Sequence, residues 1–266
     1  MTKLSISQAW DESRAVIARD GALLTTIALA LFVLPGVISD IATPLAPPGE
    51  LPKPGYWIVL TALALLVALV GQLAVIRLAI GSGLTVGEAI RHGARRVPAY
   101  LAATLAWVVP VLIAAVLLAA RVVGPPANAS PMAALALLLL CGVVLWFAIR
   151  MLMTSPVASA EAVGPMEILR RSWQLTRGHW LRLFGFFMVL IIAAVVAVAA
   201  VTAIGGILAR IIFGGVEPLT VGALFVALLV QIVSGAISVT LMVMVARIYV
   251  QLSGEGAAVK VPTSGT

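Results

Sequence analysis

The sequence predicts an all-α integral membrane protein: six transmembrane helices arranged as three repeated units, each a cytoplasmic amphipathic helix followed by a helical hairpin. Three observations lead there. Of the 266 residues, 62% are hydrophobic and 10% charged, where a soluble protein carries about 45 to 50% and about 25%. Six long apolar runs are separated by proline-rich or basic connectors. A six-residue pattern also recurs three times at nearly constant spacing.

A helix of about 20 apolar residues crosses the hydrocarbon core because it satisfies its own backbone hydrogen bonds where water is absent. The runs fall at about 21–42, 56–80, 100–120, 132–153, 180–204 and 219–250, with the fifth extending toward Ile212. Pro35 lies inside the first and Pro110 inside the third. The stretches TPLAPPGELPKPG (43–55), GPPANASP (124–131) and FGGVEP (213–218) separate the members of each hairpin, because proline removes a donor and clashes with the preceding turn. Residues 1–256 are read as one membrane domain and 257–266 as a flexible cytoplasmic tail.

The 17 Lys and Arg residues divide unevenly: only Lys53, Arg121 and Arg210 fall on the side opposite the termini. Short loops with the Lys/Arg excess remain cytoplasmic, so a multi-pass inner-membrane protein with both termini in the cytoplasm is expected. The first span follows Asp11, Glu12 and Asp20 and has no small-residue cleavage site, which reads as an uncleaved helix.

The repeat comprises QAWDES from Gln8, EAIRHG from Glu88 and EILRRS from Glu167. Each starts with Gln or Glu, continues with Ala9, Ala89 or Ile168, and ends on Ser13, Gly93 or Ser172. Arg77, Arg150 and Arg247 stand in apolar company at the ends of the three even-numbered spans. At helical spacing Ile6, Trp10 and Ile17 share a face, as do Val86, Ile90 and Val97, and Leu169, Trp173 and Trp180. Such helices either lie at the lipid headgroups or pack on the ends of the spans, and the pattern is the same for both.

Little material for catalysis is present. The chain has no GxSxG, Walker loop or HExxH motif, and no cofactor is implied. Its one cysteine, Cys141, lies in an apolar run and cannot form an intrachain disulfide. His92 and His179 fall in amphipathic stretches, where a solvated histidine is the ordinary reading. Transport would leave ionisable groups at midplane, and the deeper polar groups are instead Gln72 and Gln231, which read first as interhelical glue. Candidate contacts for anionic headgroups are Arg77, Arg91, Arg95, Arg96, Arg150, Arg170, Arg171, Arg177 and Arg247, each attracted by about 1 kcal/mol near a charged surface. The same residues also serve as the topology signal.

The stretch PVASAEAVGPMEILRRSWQLTRGHWLRLFGFFMVL (156–190), with Glu161, Gly164, Arg171-Ser172-Trp173, Leu175-Thr176 and Gly178, and the closing ARIYVQLSGEG (246–256) resemble a known family. It is the family of bacterial multi-spanning proteins named for the membrane domain of glycerophosphoryl diester phosphodiesterase. The resemblance implies a six-helix bacterial inner-membrane protein. Some members join this region to a soluble phosphodiesterase domain, for which 16 residues after Val250 leave no room, so that activity is not expected here. The leading expectation is a non-enzymatic bundle contacting anionic phospholipid or a protein partner, a second copy of itself included, with no nucleic acid. The alternative is a transporter or channel for a small or lipid-like solute around Gln72, Gln231, Pro35 and Pro110.

Overall fold

The computed structural model describes residues 5–44, 53–81, 83–122, 131–216 and 220–254. Every regular element among the described residues is helical, in the order α1 (Ile6–Ala28), a π-helical turn (Leu29–Val33), α2 (Leu34–Ala42), α3 (Tyr56–Ile80), α4 (Val86–Val122), α5 (Pro131–Arg150), α6 (Thr154–Ala160), α7 (Pro165–Thr176), α8 (Trp180–Phe213) and α9 (Val221–Ser253). Six stretches are long and apolar enough to cross a membrane. The tail expected at 257–266 lies outside the described residues.

α3 and α9 form the centre. α3 touches α1, α2, α4, α6 and α9, and α9 reaches α1, α2, α6, α7 and α8. Ser5 at the start of α1 meets the side chain of Gln251 near the end of α9, so both described chain ends lie at one end of the bundle. The arginines gather there, and it is called the basic end below. The enclosed side chains also concentrate there: Leu73, Ile76, Val157, Ile168, Leu183, Ile248 and Tyr249 are fully or almost fully buried. Toward the far end Leu63, Leu112, Leu117, Leu138, Val196 and Ile211 are exposed. Contiguous exposed apolar surface on this scale marks a membrane or protein contact, and on six helices long enough to span it suits lipid.

Two of the three amphipathic segments differ from the expected separate helices. The first is continuous with its span as α1, bent at Asp20 (φ −109°, ψ 15°), where Arg19 forms an ion pair at 2.7 Å. The second is the opening of the 37-residue α4, which runs through Pro98 and Pro110. Each proline removes one backbone bond, and continuing the helix keeps the neighbouring backbone groups satisfied. Only the third, α7, stands apart from its span, because Gly178 between α7 and α8 adopts φ +86°, a left-handed conformation that L side chains rarely take. Thr85 starts α4 with a capping box: its amide and hydroxyl both donate to Glu88 Oε2 at 2.9 Å, and the Glu88 amide donates to Thr85 Oγ1.

The first span carries a second irregularity. The π-helical turn ends two residues before Pro35, which cannot donate to the carbonyl four residues back. This irregular stretch seats against α3 and α9 at glycines: a Cβ on Gly71 would stand 2.9 Å from Leu31 Cβ, and one on Gly235 3.1 Å from Val33.

The segment between the fourth span and α7 contains α6, which the sequence reading took as part of a loop. α5 ends at Arg150, three residues short of the expected boundary, and six consecutive residues of α6, Thr154 to Ser159, are buried among α3, α4, α7 and α9.

Candidate functional site

The polar architecture of the basic end is built around the C-terminus of α6. A helix end leaves carbonyls without intrahelical donors and carries partial negative charge, and α4 supplies Arg96 and His92 to meet it. Arg96 Nε donates to the Ala158 carbonyl at 2.8 Å, and its Nη2 donates to the carbonyls of Glu161 and, at 3.1 Å, Val163. His92 Nε2 lies 2.8 Å from the Ser159 carbonyl. Ser159 Oγ donates to the Leu73 carbonyl of α3 at 3.0 Å.

Glu161, directly after α6, gathers three elements. Its Oε1 accepts from the hydroxyl of buried Tyr249 on α9 at 2.9 Å and from Arg171 Nε on α7 at 3.2 Å. The two stretches that carry the family resemblance therefore meet at one carboxylate.

The three amphipathic segments pack alike in one respect. Ala9, Ala89 and Ile168 are each 0% exposed, and Ser13, Gly93 and Ser172 are all buried. Ser13 Oγ contacts Met244 Sδ of α9 at 3.1 Å. A Cβ on Gly93 would stand 2.7 Å from the Val70 carbonyl oxygen of α3. Ser172 Oγ donates to the Arg150 carbonyl of α5 at 2.9 Å. Each segment thus seats its small residue on a different even-numbered span.

The expected headgroup contacts separate into two groups. Arg96 is committed to carbonyls, Arg171 to Glu161, and Arg247 to Glu12, at 2.7 Å with both side chains about one-fifth to one-quarter exposed. Arg170 is exposed, with Glu167 4.0 Å away, and Arg177 is exposed at the end of α7. Arg77, Arg91, Arg95 and His92 line a cleft of about 280 Å³ between the end of α3 and the start of α4. Its one acidic side chain, Glu88, is engaged by Thr85. Arg77 forms no ion pair among the described residues.

Arg150 has a setting of its own. Its guanidinium lies 5.4 Å from the ring centre of Trp146 and 5.0 Å from that of Trp173. The two rings meet edge to face at 5.2 Å. Nε and Nη1 are enclosed and find no acceptor. Two ring contacts contribute roughly 0.5 to 2 kcal/mol each, against about 1 to 3 kcal/mol for each buried donor left unsatisfied.

The two glutamines lie in different seams of the bundle. Gln72 Nε2 donates to Tyr100 Oη at 3.4 Å in the α3–α4 seam, whereas Gln231 Nε2 donates to Asp40 Oδ2 at 2.7 Å between α9 and α2. A cleft of about 700 Å³ at the far end is lined by Asp40, Thr43, Tyr56, Thr220 and Leu224, and by neither glutamine. Among the described residues no three of His, Cys, Asp and Glu gather as a metal site.

Sequence reasoning singled out the arginines but missed their division into engaged and unengaged groups, and it did not place Trp146 or Tyr249 in a site. The tryptophan at i−4 from Arg150 was a readable signal. Tyr249, by contrast, acquires its role through a partner 88 positions away.

The family model described as the membrane domain of glycerophosphoryl diester phosphodiesterase matches residues 127–260, half of the chain, and so includes α6, α7, Glu161, Arg150 and Tyr249. The match is to the membrane domain and not to a catalytic one. No curated protein and no solved structure matches the chain. With its match spanning that half, the chain belongs to the family of the membrane domain of glycerophosphoryl diester phosphodiesterase.

Proposed function

We propose that the protein is a non-enzymatic bundle of the bacterial inner membrane, built of three like units, whose basic end faces the cytoplasm and holds anionic phospholipid headgroups. The observation that carries this reading is the cleft of Arg77, Arg91, Arg95 and His92, where the one carboxylate is occupied by Thr85. Three guanidinium groups around one acid leave a net positive concavity beside the ends of two long apolar helices, which suits anionic headgroups. The like burial of Ala9, Ala89 and Ile168 supports three units closing on one another.

The test is retention of lipid by the full chain in native mass spectrometry, using phosphatidylglycerol against phosphatidylcholine. Replacing Arg91 and Arg95 together by glutamine is expected to weaken phosphatidylglycerol retention at least several-fold, at about 1 kcal/mol per charge. Retention equal to wild type would remove the role.

A second reading, a carrier for a small or lipid-like solute, draws on the far-end cleft and on Asp40, a carboxylate bonded to Gln231 of α9 beside the π-helical turn and Pro35. Asp40 lies two residues from the end of α2 and lines that cleft, where its carboxylate can meet an entering solute. Asp40→Asn would abolish uptake in proteoliposomes on this reading. Uptake unchanged by the substitution would exclude Asp40 from the pathway.

A further inference from the structure

The three arginines that close the even-numbered spans allow an internal comparison. Arg247 finds its anion within the chain: Glu12, the fifth residue of the first repeat segment, lies 2.7 Å away. The fifth residue is His92 in the second segment and Arg171 in the third. Arg171 has the charge of Arg150 and turns instead to Glu161. Arg150 therefore keeps the arginine of the repeat and lacks its carboxylate, and it forms no ion pair among the described residues.

Its surroundings favour a cation but leave its hydrogen bonds unmade. The faces of Trp146 and Trp173 attract the guanidinium, yet indole offers a donor and no acceptor, so the in-plane N–H groups gain nothing from them. Nε and Nη1 have no acceptor. A phosphate accepts such donors in the guanidinium plane, which here requires the enclosed Nε and Nη1 to turn outward past the two rings. Along α5, Trp146, Val143 and Leu139 follow Arg150 at helical spacing, and Val143 and Leu139 are 53% and 63% exposed. A headgroup at Arg150 would therefore have its hydrocarbon beside an apolar, lipid-facing stripe, which a soluble phosphate could not use.

We infer that Arg150, with Trp146 and Trp173, binds the phosphate of one anionic phospholipid, in the place that Glu12 takes beside Arg247. The inference rests on the reading of the basic end given above and names one specific site within it.

The test uses the full chain in native mass spectrometry with phosphatidylglycerol, phosphatidylcholine and inorganic phosphate, beside thermal unfolding with and without lipid. Wild type should retain one phosphatidylglycerol at this site, beside any held by the cleft of Arg77, Arg91 and Arg95, after weaker lipids are stripped. Arg150→Gln should weaken that retention on the order of tenfold, and Arg150→Lys or Trp173→Phe a few-fold. Because Arg150→Gln also removes a cation with unused donors, its lipid-free melting temperature should equal or exceed that of wild type, and stabilisation by phosphatidylglycerol should disappear. A lower lipid-free melting temperature with unchanged retention would make Arg150 purely structural and overturn the inference. Equal retention of phosphatidylcholine, or displacement of the lipid by millimolar inorganic phosphate, would also overturn it. Loss on Arg91→Gln/Arg95→Gln but not on Arg150→Gln would sink this site and leave the proposed function standing. Retention unaffected by either set of variants would remove both.

Discussion

Glu12 on the first helix and Arg247 on the last form an ion pair at 2.7 Å across 235 positions of sequence, and the same arginine reaches the Ala79 carbonyl of α3. Three helices are therefore tied by one guanidinium. With both partners about one-fifth to one-quarter exposed, the pair lies between a screened surface bridge and a dry one.

Breaking that pair should cost more than a surface bridge. Glu12→Gln is expected to lower stability by about 1 to 2 kcal/mol, because it leaves a largely buried guanidinium without its counter-ion. Thermal unfolding in detergent measures this, and Glu12→Arg combined with Arg247→Glu should recover part of the loss.

At Glu161 the expectation concerns coupling. Arg171→Gln and Tyr249→Phe each remove one hydrogen bond to the same oxygen. Groups sharing one acceptor are non-additive, so a double-mutant cycle should give an interaction of about 0.5 to 3 kcal/mol. Strict additivity would show that the carboxylate does not link α7 to α9.

Gly93 is expected to tolerate no side chain. Gly93→Ala would place its methyl 2.7 Å from the Val70 carbonyl oxygen, an atom of helical backbone that cannot rotate aside. A loss of about 1 to 3 kcal/mol is expected from such overpacking. Gly87→Ala in the same helix, where nothing lies within 4 Å, serves as the control and should be neutral or slightly stabilising.

Arg96→Lys tests whether a point charge can replace the planar fork that spans the carbonyls of Ala158, Glu161 and Val163. Lysine keeps the charge near the end of α6 but loses the fixed geometry. A destabilisation of about 1 to 3 kcal/mol is expected, seen as faster amide hydrogen exchange across α6. Unchanged exchange would show that Arg96 does not hold the helix.

The spans were legible in the sequence because the solvent acts on each segment separately. A stretch such as Tyr56–Ile80 is apolar whatever its neighbours are, and its expected and observed bounds coincide. The pattern of Ala9, Ala89 and Ile168 followed by a small residue was likewise readable in one dimension. α6 was not, because TSPVASA has neither the length nor the periodicity of a helix that stands alone. Its burial comes from α3, α4, α7 and α9 closing around it.

Composition and hydropathy by themselves determined that this is a membrane protein with six helices long and apolar enough to span, since that depends on summed transfer energies that each segment carries alone. Tertiary structure alone decided what each arginine meets: Arg247 a carboxylate, Arg96 the carbonyls of α6, Arg150 two indole rings with two donors left over. The partner of a charged group is set by which helices come together, and residues far apart in the chain become neighbours only when the bundle closes.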